Sequence, residues 1–71
     1  MTLDLHDIKH ENVQQLLDSF LYVHIKKNTS RVYIMTGNST PMKIIVSKVA
    51  SEYGLTAVEN MFNSAEMIID F

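Results

Sequence analysis

The sequence predicts an α/β fold, specifically a two-layer α+β sandwich in the order β-α-β-α-β-β. Two stretches repeat apolar residues with helical period, and four shorter ones have the composition of strands. The chain has 71 residues, 46% hydrophobic and 20% charged, as expected for one small globular domain rather than a disordered segment. Two β-α-β crossovers of the usual hand place both helices on one side of a four-stranded mixed sheet and leave the other side open.

Taken in order, Leu3-Asp4-Leu5-His6 alternates apolar and polar residues, so Leu3 and Leu5 face the helices while Asp4 and His6 face outward. Asp7-Ile8-Lys9 is a turn. The first helix starts near His10 or Glu11, and Val13, Leu16, Leu17, Phe20, Leu21 and His24 trace one face of it. Its N-terminal cap is poorly specified, because Lys9 has no capping oxygen and Asp7 comes early. Lys26 and Lys27 complement the helix dipole in the last turn, and Asn28-Thr29-Ser30 stops the helix.

Arg31-Val32-Tyr33-Ile34-Met35 is the second strand, with Val32 and Ile34 toward the helices. The turn Thr36-Gly37-Asn38-Ser39-Thr40 leads into the second helix, with Thr40 as the expected N-cap and Pro41 as the first helical residue. Met42, Ile45, Val46, Val49, Ala50 and Tyr53 form its apolar stripe, and Gly54 ends it in a left-handed conformation. A weaker strand spans Ala57 to Met61. Phe62-Asn63-Ser64-Ala65 is the expected turn, with Asn63-Ser64 as its polar tip. Met67 to Phe71, apolar on both faces, reads as a central strand.

Composition narrows the function. Without cysteine there is no disulfide framework and no thiolate zinc site, and a reducing compartment is expected. Six Lys/Arg against eight Asp/Glu give a net charge of −2, so no global attraction to phosphate is expected and any nucleic-acid contact needs a local cluster. The start has no basic n-region, and no apolar run is long enough to cross a membrane, so the expected setting is the cytoplasm.

Two polar sets stand out. Asp4 and His6, about 7 Å apart along one strand face, have the chemistry of a general acid/base pair or of ligands to a metal that activates water. His6 is the better base, because its unperturbed pKa lies near neutrality. The structural alternative is that Asp4 accepts backbone N–H groups and His6 merely ends a strand. Thr36, Gly37, Asn38 and Ser39 run into a helix N-terminus, a natural phosphate seat, with Lys43 in the first turn and Lys9 across from it. The alternative is an ordinary helix cap with a solvated lysine. His10 is a candidate third metal ligand or an exposed histidine, and His24 is expected to pack. Tyr33 is a base-stacking candidate on the open face or a structural strand residue. The partly apolar open face, with Asp4, His6, Tyr33, Met35 and Ile68, is a candidate surface for self-association or a protein partner.

Leu3-Asp4-Leu5-His6 and Thr36-Gly37-Asn38-Ser39, in this order and on these elements, resemble the two motifs of the small MutS-related (Smr) domain: Leu-Asp-x-His, usually followed by Gly, and Thr/His-Gly-x-Gly. The likeness runs from about Thr2 to Phe71, a minimal version of the domain in residues 1–71. Asp7 stands where the first motif's glycine would be, Ser39 replaces the second motif's last glycine, and Asn38 stands where Lys or Arg is frequent. The resemblance implies the fold of the C-terminal domain of translation initiation factor three, with the last strand inserted centrally. It also implies action on DNA or RNA as a nicking or cleaving endonuclease, with Asp4 and His6 catalytic and Mg²⁺ or Mn²⁺ as the candidate ion. A catalytically inactive descendant, binding a protein or a nucleic acid, is the alternative.

Overall fold

A computed structural model describes residues 1–71. The elements follow the expected order: β1 (Thr2–Asp4), α1 (His10–Lys26), β2 (Arg31–Met35), α2 (Thr40–Glu52), β3 (Ala57–Asn60) and β4 (Asn63–Asp70). The strands lie in the order β1-β2-β4-β3. β1 is parallel to β2, whereas β4 runs antiparallel to both β2 and β3 and is inserted between them.

The alternation of β2 sets the two layers. Val32 and Ile34 are fully buried, and their cross-strand partners Ile69, Met67 and Leu3 line the same face. Against them pack Val13, Leu17 and Leu21 of α1 and Met42, Val46, Val49 and Ala50 of α2. Leu5, just past β1, completes this core. Twelve residues form it, so truncating one large member removes a substantial share of the stability of so small a domain. The other face carries Tyr33, Met35 and Ile68, half-buried, with Val58 exposed. Its carboxylates Asp4, Glu66 and Asp70 outnumber its one cation, Arg31, which Asp70 holds through two hydrogen bonds.

Helix ends follow local chemistry. Lys9 caps α1 without any side-chain hydrogen bond, while Asn28 takes φ 57° beyond the other end. Buried His24 meets the Thr29 hydroxyl at 2.8 Å and the Phe20 ring at 4.5 Å, so it packs as expected. Gly54, at φ +72°, terminates α2 as expected.

Three boundaries differ from expectation. The cap of α2 is Ser39, whose hydroxyl accepts the Met42 amide at 3.2 Å, so Thr40 opens the helix and Pro41 follows it. β1 stops at Asp4, because the Asp4 carboxylate accepts the His6 amide and turns the chain. The last hairpin turns at Met61-Phe62 rather than at Asn63-Ser64, and β4 starts at Asn63. The Asn60 side chain accepts the Phe62 amide and that of Asn63 the Ala65 amide, so both asparagines brace the turn from its flanks. The tip is left apolar: Met61 is 86% and Phe62 91% exposed.

Candidate functional site

β1 and β2 are parallel and adjacent, so the turns that follow them emerge at the same rim of the sheet. The carboxyl ends of parallel strands are where open α/β sheets place their ligands. The two turns touch: a Cβ built on Gly37 would lie 3.6 Å from the His6 Cβ. The Asp4–His6 pair and the Thr36-Gly37 turn therefore meet, as the sequence reading required.

The first turn is organised by the Asp4 carboxylate. Its Oδ1 accepts the His6 backbone N–H at 3.1 Å and faces the His6 Nδ1 at 2.5 Å. The expected parallel side chains on one strand face are thus replaced by a folded-back contact, and His6 stands on the rim rather than on the open face. Asp7, which the sequence reading treated only as a turn residue, meets the ring's other nitrogen, Nε2, at 3.0 Å. Its place directly after His6 was the available signal. All three side chains are at least half exposed.

An imidazole flanked by two carboxylate oxygens satisfies both contacts only as the imidazolium, which donates from each nitrogen. The hydrogen bond to Asp4, reinforced by the Asp4 and Asp7 charges, raises the His6 pKa above its ordinary 6.5. The same hydrogen bonds from His6 lower that of Asp4 below 3.8. Held between two carboxylates, His6 is arranged to donate a proton, where the sequence reading had it accept one.

This donor set does not fit a metal ion as arranged. A ligating imidazole offers a lone pair, and both His6 nitrogens face carboxylates. Asp4, His6 and Asp7 meet by pairing with one another, no group of three His, Asp or Glu side chains is arranged to hold a metal ion, and His10 does not complete one.

The second turn points its polar groups inward. Thr36 is buried and its hydroxyl donates to Gly37 O at 2.8 Å and Ala65 O at 3.2 Å, so it offers nothing to a ligand. Ala65 O also accepts the Thr36 and Gly37 amides. Gly37 takes φ +67°, where a side chain is strained. The Asn38 side chain accepts the Ser64 hydroxyl. Only the amides of Asn38, Ser39 and Thr40 lack a protein acceptor. Lys43, expected beside the turn, is instead committed to Glu59 on edge strand β3 at 2.9 Å, its side chain only 18% exposed. Lys9 is exposed and in no ion pair. Tyr33 lies on the open face, away from the rim turns.

No helix is long and apolar enough to cross a membrane. Comparison with family models, with characterised proteins and with solved structures returns no match.

Proposed function

We propose that the protein acts on nucleic acid in the cytoplasm as a small Smr-like endonuclease, with the rim between the two turns as its active site. The observation that carries this reading is the meeting of the Asp4–His6 pair with the Gly37 turn at the carboxyl ends of two parallel strands. A phosphate enters against the free amides of Asn38, Ser39 and Thr40, at the positive end of α2, with Lys9, exposed and in no ion pair, as the candidate cation. As the attacking hydroxyl adds to phosphorus, the P–O bond to the leaving oxygen breaks and His6 protonates that oxygen. The proton of the attacking hydroxyl passes to bulk water. Asp4 holds the imidazolium in place. General acid catalysis of this kind contributes about 10²–10⁴-fold.

A second reading has its own support. With Lys43 held by Glu59 and the Thr36 and Gly37 amides held by Ala65 O, the turn has fewer free phosphate contacts than its residues suggest. This favours a non-catalytic module that binds a nucleic acid or a protein. The deciding experiment incubates the protein with branched DNA, duplex DNA and structured RNA, in Mg²⁺, in Mn²⁺ and in chelator. The endonuclease reading expects cleavage of at least one substrate that is lost in Asp4→Ala. Salt-sensitive binding without cleavage supports the module, and cleavage that survives Asp4→Ala removes this site from the chemistry.

A further inference from the structure

The tip of the β3–β4 hairpin leaves the sheet at the same end as the two rim turns. β4 runs antiparallel to β2, so its first residues lie beside the turn that ends β2. The Ser64 hydroxyl donates to the Asn38 Oδ1 at 3.1 Å, and Ala65 O accepts the Thr36 and Gly37 amides. Phe62 precedes Ser64 by two residues, which sets the tip about 7 Å of chain beyond the Asn38 contact at ~3.3 Å per residue. Phe62 and Met61 are the two most exposed large apolar side chains in the molecule. Their backbone is nonetheless fixed. Asn60 Oδ1 accepts the Phe62 amide at 3.0 Å while Asn60 Nδ2 donates to Glu66 at 2.8 Å, and Asn63 Oδ1 accepts the Ala65 amide at 3.0 Å. A braced turn thus holds an aromatic ring in water, where folding gains nothing from it.

We infer that Phe62 is the base-stacking residue of the rim, taking an unpaired nucleobase whose neighbouring phosphate lies on the free amides of Asn38, Ser39 and Thr40. The substrate is then single-stranded nucleic acid, or an unpaired stretch within a longer one. This rests on the nucleic-acid reading of the rim and names its substrate class. Area decides against a protein partner at the tip. An aromatic side chain buries about 150–250 Å², so the two tip side chains cover far less than the ~1,200 Å² of a stable protein interface. A base needs only one exposed ring, because its phosphates are held separately. Inside a continuous duplex the bases already stack on one another, and the ring finds no free face there. Nothing at the tip repels a phosphate chain: Asn60 to Asn63 carry no charge, and the flanking carboxylates Glu59 and Glu66 are held by Lys43 and Asn60. Tyr33, the stacking candidate in the sequence, lies on the open face away from the rim turns.

Fluorescence anisotropy on the full chain tests this with short single-stranded oligothymidylate and oligouridylate, a duplex of the same length, and a base-free sugar-phosphate strand. The unaltered protein is expected to bind at least one of the single strands more tightly than the duplex. Phe62→Ala is expected to weaken that binding by about tenfold or more, while leaving binding of the base-free strand and the circular dichroism spectrum unchanged. Phe62→Tyr is expected to bind as the unaltered chain does. Phe62→Leu, apolar but without a π face, is expected to resemble Phe62→Ala. Three results overturn the inference and leave the nucleic-acid reading standing: duplex bound as tightly as the single strands, single-strand binding indifferent to Phe62→Ala, or an equal loss on the base-free strand. Full binding by Phe62→Leu overturns stacking in favour of simple apolar contact. No binding of any strand overturns the nucleic-acid reading and this inference with it.

Discussion

The turn after β1 and the turn after β2 occupy the same rim, each feeding a helix, yet they use their polar residues in opposite ways. The first exposes them. Asp4, His6 and Asp7 pair with one another in solvent, and the helix that follows begins at Lys9 with no side-chain cap. The second spends its polar residues on structure. Thr36 is buried, Ser39 caps α2, and Ala65 O takes two amides. Side chains that pair with one another in solvent are available for chemistry, whereas those buried in closing a fold are not. On the proposed function, the first of these two motifs is the chemical element and the second the scaffold that shapes its neighbour.

Substitutions sharpen or break this contrast. The largest expected effect is on activity: His6→Ala removes the proton donor, and cleavage falls by about 10²-fold or more, read on whichever substrate the unaltered protein cuts. Gly37→Ala comes next, with a loss of about 1–2 kcal/mol on chemical denaturation from the left-handed backbone alone. The added methyl would lie in ordinary contact with His6 at 3.6 Å, so sterics add little. Ser39→Ala costs about 1 kcal/mol through the lost cap. Glu59→Gln changes stability by less than about 1 kcal/mol, as expected of a partly exposed ion pair. Yet it frees Lys43, and tighter, more salt-sensitive binding of an oligonucleotide is the expected result; unchanged binding would show that Lys43 does not reach the rim.

The smallest effect is the most diagnostic of the pairing. Asp4→Asn removes the main cause of the raised His6 pKa, so the His6 titration followed by NMR moves down toward 6.5. The linkage has a definite sign. The raised pKa of His6 contributes stability fully below 6.5 that is lost as pH rises through its folded value. The lowered pKa of Asp4 contributes stability present above 3.8 that is lost as pH falls through its folded value. Both contributions are whole between those limits, and both are small because the groups are exposed.

The periodic parts of the fold were legible because burial imposes period. The second strand and the stripe of α2 follow from it, whereas the left-handed Gly54 follows from glycine's freedom at a helix end and the central place of the last strand from apolar residues on both its faces. The parts set by single hydrogen bonds were not. Ser39 and Thr40 are both good caps, and only the Met42 amide chooses between them. Asn63-Ser64 looked like the hairpin tip because polar residues favour turns, but Asn60 and Asn63 brace the turn from its flanks and leave Met61-Phe62 outside. At the rim, the nearness of Asp4 and His6 could be read from their spacing, whereas the folded-back contact needed the chain to turn at Asp4. Lys43 was placed by its helix position alone. Its partner, Glu59, sits 16 residues away on a strand whose neighbour is set by the whole topology.

The division of labour between the two turns is tested most directly by measuring cleavage and melting temperature together on His6→Ala and Ser39→Ala. The account predicts that His6→Ala loses cleavage and keeps its melting temperature. Ser39→Ala should keep cleavage and melt lower by about 4–8 °C for each kcal/mol lost. A His6→Ala protein that cuts normally but melts early, beside a Ser39→Ala protein that is stable and inactive, would contradict it.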